Sequence, residues 1–251
     1  MRTRLMISLL SVIALALSIV GSVCADTGLT GAANTFDPNQ MTQTEKNQLA
    51  IKIKMADSHM KTLMSNITPA TVTTTTIYVG GSGAYREPNQ SKYVNYCVPS
   101  SSQVAIIAKT SNVPTLDAVA LGEKTDPKNG TYIYNVPPYL NPLLKTSWYT
   151  TGKAANSSTF ASWLSLDIDS DWSLMTLLKT GGNPPMPGWT LDAQHYVATY
   201  GYIRNGSQIT NVYYVDTASV IAGYDGNYFN NATLTNFWYW ITRHPAYGQV
   251  W

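Results

Sequence analysis

The strongest constraint in this sequence is the stretch HYVATYGYIRNGSQITNVYYVD, residues 195–216. Two runs rich in tyrosine, valine and isoleucine flank the pair Asn205-Gly206. β-Branched and aromatic side chains suit a pleated, half-buried surface, and Asn-Gly between two such runs is the signature of a two-residue hairpin turn. With Asn205 and Gly206 as the central turn residues, paired positions across the strands have numbers that sum to 411, so His195 faces Asp216. Directly opposed residues carry Cβ atoms about 4.5–5.5 Å apart, close enough for a carboxylate to hold one imidazole nitrogen. A slip of one residue would turn the two side chains to opposite faces.

The chain opens MRTRLMISLLSVIALALSIVGSVCADTG, with Arg2 and Arg4 ahead of an uninterrupted apolar stretch and small residues ending in Val23-Cys24-Ala25. This order reads as a secretory signal peptide cleaved after Ala25, which leaves 226 of the 251 residues, starting at Asp26. A lipid anchor through Cys24 is the alternative, disfavoured because the preceding Val23 is not a smaller residue. No second apolar run is long enough to span a bilayer, so a secreted protein without a membrane partner is expected. Cleavage removes one of the two cysteines and leaves Cys97 as a single thiol. In an oxidising compartment such a residue is buried, joined between chains or chemically employed. A net charge of +2 with 12% charged residues offers no basic stripe for nucleic acid.

Beyond the leader at residues 1–25, an extension occupies residues 26–76 and a main domain residues 77–251. Residues 26–40 carry no periodicity, Thr42 and Glu45 make a capping-box signature, and Leu49, Ile53, Ala56, Met60, Leu63 and Met64 mark one face of a helix over 42–64. The segment TPATVTTTT reads as a tether. In the main domain the order is IYV, a Gly-rich loop, a helix starting near Cys97, a short helix over 115–122 and a proline-broken helix in PPYLNPLLKTSW. A helical but ambiguous FASWLSLDIDSDW, the hairpin, and a closing helix around NATLTNFWYWITRH complete it. Helices ahead of an antiparallel sheet give the α+β class.

Cys97 stands where YVNYCVPSSS turns into a helix, and Pro99 is tolerated in the first helical turn. Unsatisfied amides and the positive dipole end at a helix N-terminus favour a thiolate. His195 and Asp216 lack only a nucleophile. Together the three residues spell acyl transfer: Cys97 attacks a carbonyl, His195 moves the proton and Asp216 orients the ring. Gln90, in the loop before the cysteine, could aim its amide at the developing oxyanion beside the Cys97 backbone N–H.

The order Gln, YC-x-P opening a helix, HYV-x-x-x-GY and YYVD-x-A resembles the papain-like cysteine peptidases of the bacteriocin-processing, double-glycine leader type, in their secreted stand-alone form. LGEKTDPKNGT and LDIDSDW are similar to family segments after the first helix and before the histidine strand, so the resemblance covers residues 77–225. It implies a papain-like fold, a nucleophile at Cys97, a base at His195, an orienting Asp216 and an oxyanion residue at Gln90, with no cofactor and a peptide or protein substrate. The sequence departs from the pattern at Val98 and Gln194, where glycine is usual, and Gln90 lies one residue further from the cysteine than the family spacing. None of these removes a reacting group.

Asp167, Asp169 and Asp171 alternate as in a calcium loop, but Trp172 replaces the required glycine and Leu178 the final glutamate, so no calcium site is expected. No histidine or cysteine spacing suits zinc. His59 and His244 are expected to be structural or solvent-facing. Two further readings stay open: an inactive binding module of the same fold, and a cell-wall amidase or transpeptidase using the same three residues.

Overall fold

The computed structural model describes residues 36–65, 74–79, 83, 85–245 and 247–251. The expected signal peptide, the irregular segment before residue 36 and most of the Thr-rich tether lie outside these residues. The described chain is mixed α and β. Its helices are α1 (Gln43–Ser65), α2 (Cys97–Ile107), α3 (Leu116–Gly122), α4 (Val136–Leu143), α5 (Ser157–Asp169) and α6 (Leu234–Thr242). Its strands are β1 (Thr74–Tyr78), β2 (Thr151–Gly152), β3 (Leu174–Lys179), β4 (Gln194–Asn205), β5 (Gln208–Asp216), β6 (Phe229–Thr233) and β7 (Gln249–Val250). They form one antiparallel sheet in the order β2-β7-β3-β4-β5-β6. β1 pairs with the outer half of β4, in line with β3.

Local chemistry explains most boundaries. Thr42 and Glu45 close the expected capping box, with Thr42 N donating to Glu45 Oε2 at 2.6 Å and Glu45 N to Thr42 Oγ1 at 3.2 Å. Thr115, Asn156 and Thr233 cap α3, α5 and α6 through their side-chain oxygens. The closing helix is therefore shorter than NATLTNFWYWITRH, because Asn230 to Thr233 continue β6. β1 starts at Thr74, inside the stretch read as a tether, because its threonines suit a strand paired with β4.

The hairpin forms, in a different register. Asn205 pairs with Gln208, so Gly206 and Ser207 are the central turn residues. Gly206, at φ +62°, takes the first central position, where a type II′ turn needs glycine. Pairing sums therefore run at 413 at the turn and again at the base, with 414 between, and Asp216 stands opposite Val197, not His195. The change is an even number of residues, so the facing of both side chains survives. Two bulges interrupt the ladder, with Tyr200 as the extra residue on β4 and Thr210 on β5. One on each strand, they cancel.

Strand alternation divides the helices between two faces. Ser102 of α2 meets Met175 Sδ at 3.5 Å, and Met175 stands opposite Ala198. Tyr214, opposite Thr199, packs on Phe237 and Trp240 of α6 at ring distances of 5.4 and 6.5 Å. Ala198 and Thr199 are neighbours and point to opposite faces. α2, with α3 and α4, thus covers one face, while α5 and α6 cover the other.

α1 lies along α5. Its Lys52 is 4% exposed, with Nζ 2.9 Å from Asp167 Oδ1 and 4.5 and 4.8 Å from the ring centres of Trp148 and Trp251. Further along, His59 Nε2 lies 2.8 Å from Asp169 Oδ2. The extension is thereby packed into the domain on the side of the sheet covered by α5.

Candidate active site

His195 is the second residue of β4 and Asp216 the last of β5, and both are fully buried. Diagonal neighbours on one face, they meet with His195 Nε2 2.8 Å from Asp216 Oδ1. The amide of Ala218 donates to the same oxygen at 3.1 Å. Trp189 Nε1 donates to Oδ2 at 2.8 Å, and its ring lies 4.8 Å from the imidazole. The aspartate thus accepts from three donors, which hold the carboxylate and, through it, the ring. His195 Nδ1 is buried and has no hydrogen-bond partner. With Nε2 turned to a carboxylate, Nδ1 is the nitrogen placed to take a proton.

Cys97 is the first residue of α2 and 1% exposed. Its carbonyl accepts from Thr217 Oγ1 at 3.5 Å, and one turn along the helix Ser101 Oγ donates to the Tyr196 carbonyl at 3.3 Å. The helix mouth therefore sits at the sheet end that carries both Asp216 and His195. It approaches from the other face: His195 shares its parity with Val197 and Thr199, on the α6 side, whereas α2 touches the Ala198 side. Cys97 is not a free thiol in the full chain but half of a disulfide. The sequence contains one other cysteine, Cys24.

Gln90 does not join this group. It is exposed and precedes a single 3-10 turn, Ser91–Tyr93, with no side-chain cap bond. The buried polar residue of that loop is Glu87, 2% exposed, whose backbone N–H donates to the Thr217 carbonyl at 2.8 Å. Burial, reinforced by the charge of Asp216, pushes its carboxyl well above the usual carboxylate range, against the pull of the Ser219 and Tyr96 backbone amides. Spacing from the cysteine gave no reason to prefer it. Trp189 was missed too, lying in a Gly-Pro loop without periodicity.

Of the remaining candidates, two DIDSD carboxylates go into packing, and the exposed Asp171 lies 3.6 Å from Lys109 Nζ. Asp167 holds Lys52, and Asp169 holds His59 and the Tyr202 hydroxyl at 2.6 Å. His244 is buried. Among the described residues no group of three or more His, Cys, Asp or Glu could hold a metal, and no helix is long and apolar enough to cross a membrane. An open groove of about 740 Å³, lined by Met60, Met64, Ser162, Ile209 and Thr235, lies by the turn end of the hairpin, remote from His195.

No family model, no curated protein and no solved structure matches this chain.

Proposed function

We propose that the protein is a secreted thiol hydrolase, most simply a cysteine peptidase of the papain-like kind, with Cys97 as nucleophile, His195 as base and Asp216 as orienting group. The observation that carries the reading is the His195–Asp216 contact of 2.8 Å with Nδ1 left over, at the sheet end where α2 begins with Cys97. Thiolate attack on a peptide carbonyl would form a thioester and release the amine with a proton from His195; water would then free the acid. Signal-peptide cleavage after Ala25 removes Cys24, so the mature chain carries Cys97 as its one cysteine. Peptide-bond cleavage leaves the Cys97 disulfide intact, so release of the nucleophile also takes a thiol reductant, which exchanges with the disulfide and is itself oxidised. The centre is closed to solvent in the full chain, with Cys97, His195 and Asp216 at 1% exposure or less.

One specific feature favours a second reading, a secreted binding module of the same fold. His195 and α2 belong to opposite faces of the sheet, and all three residues are buried, as a structural core pair would be. Iodoacetamide alkylation of the chain starting at Asp26, followed against pH beside His195→Ala and Asp216→Asn, separates the two. The hydrolase reading expects labelling that persists well below the free-cysteine pKa of about 8.5 and is lost in the His195 variant. Slow labelling identical in all three proteins would replace it with the binding module.

A further inference from the structure

The loop before α2 buries a carboxyl that neither the sheet nor the proposed triad uses. Glu87 is 2% exposed, and both its carboxyl oxygens are enclosed without a hydrogen-bond partner. The backbone amides of Ser219 and Tyr96 lie near those oxygens, the Tyr96 amide donating to the Tyr93 carbonyl at 3.0 Å, and neither closes to full hydrogen-bond geometry on Glu87. Tyr96 is the N-cap of α2, immediately before Cys97, and Ser219 follows the Asp216 turn. The Glu87 backbone is itself pinned to Thr217, whose hydroxyl reaches the Cys97 carbonyl. One side chain thus stands between the segment that carries Asp216 and the helix mouth that carries the thiol.

We propose that Glu87 is a positioning residue for Cys97, an uncharged brace that keeps the mouth of α2 in register with the Asp216 turn. This rests on the reading of Cys97, His195 and Asp216 as a reacting group. Three features of the site bear on it. Asp216 already accepts from His195, Trp189 and Ala218, as a carboxylate does. Two carboxyl groups that share one dry site do not both ionise, so the proton belongs on Glu87. Among the described residues no cation opposes this: the neighbouring Arg86 guanidinium is turned to the Gly226 carbonyl and the Tyr228 ring, 2.9 and 3.9 Å away, and Asp216 is the charged group that acts on Glu87. An ionised Glu87 would take up the positive end of α2 that a thiolate at Cys97 needs, and would compete with Asp216 for the imidazole. Kept neutral, it braces without competing.

The test uses the chain starting at Asp26 with Glu87→Gln and Glu87→Met, read by iodoacetamide labelling against pH and by difference infrared spectroscopy of the carboxyl region. Glutamine keeps a neutral, hydrogen-bonding group of the same shape beside the Ser219 amide, so its acid-side labelling stays within about twofold of the unsubstituted protein. Methionine fills the space but accepts no comparable bond. Its labelling at pH 6 falls about tenfold, one pKa unit in the thiol, while labelling above pH 9 is unchanged. The infrared difference between the unsubstituted chain and Glu87→Gln contains the carbonyl stretch of a protonated acid. A merely space-filling role would lower the melting temperature of Glu87→Met and leave the acid limb in place, which overturns the proposal, as does a carboxylate signal in the infrared. That signal decides the matter even if Glu87→Met fails to fold. If the unsubstituted chain shows no acid-side labelling, the hydrolase reading has failed, and Glu87 as a positioning residue falls with it.

Discussion

A buried carboxylate costs free energy unless its lone pairs are engaged. Asp216 meets that condition through a ring nitrogen, a backbone amide and an indole N–H, and the indole is the donor outside the proposed triad that a single substitution can remove. Trp189→Phe keeps the packing and deletes the bond to Oδ2, so it should cost about 1–3 kcal/mol in urea denaturation and weaken acid-side labelling of Cys97. His195 and Asp216 were readable in the sequence because a hairpin converts spacing into proximity. Trp189 and Glu87 were not, since irregular loops bring them to the pair from positions that no period predicts. Gln90 shows the converse case: polar and close before the cysteine in sequence, it is exposed to water.

The β4–β5 hairpin was legible as an element and misplaced in register by the choice of turn residues. Taking Asn205-Gly206 as a type I′ centre overlooked the alternative in which Gly206 comes first. The error left the shared facing of the pair untouched because it was even. β3 escaped notice for another reason: LMTLLK is buried on both faces, so it shows no polar alternation. The amphipathic stripe of α1 was visible, but not that Lys52, a charged residue, would be among its most buried members. Lys52→Met would strand Asp167 as a lone buried carboxylate and should cost roughly 3–5 kcal/mol, whereas Lys52→Met with Asp167→Leu should recover most of it in the same denaturation assay. Burial dominates both partners. It raises Asp167 from 3.8 to about 6 and lowers Lys52 from 10.5 to about 8, each partly offset by the other's charge. Between pH 3.8 and about 6 the native state holds a proton that the unfolded chain has released, so stability from Asp167 falls as pH rises through that window. Between about 8 and 10.5 the unfolded chain holds the extra proton, so stability from Lys52 rises with pH. Urea midpoints of the native protein, compared with those of the doubly apolar variant, should therefore show the pair contributing least between about pH 6 and 8.

At the scale of the molecule, the extension behaves as part of the core and not as a cover over the candidate site. α1 sits along α5 and reaches the β2 edge of the sheet, and its Lys52 and His59 are bonded to carboxylates of α5. A chain starting at Thr74 should expose Trp148, Trp251 and an unpaired Asp167. Circular dichroism should then report loss of cooperative unfolding, with no gain in hydrolytic activity. The α+β class was apparent from the order of segments; the division of helices between two faces was not, because it depends on pairings that span the chain. The compensating bulges at Tyr200 and Thr210 have a consequence for how such a chain can change length. Each alone would throw the outer half of the hairpin out of phase with the inner half, which carries His195 and Asp216. Together they restore it, so matched insertions or deletions beyond them can remodel the tip while the pair at the base stays aligned. Loss of one bulge without the other would reverse the facing of one strand on one side of the break.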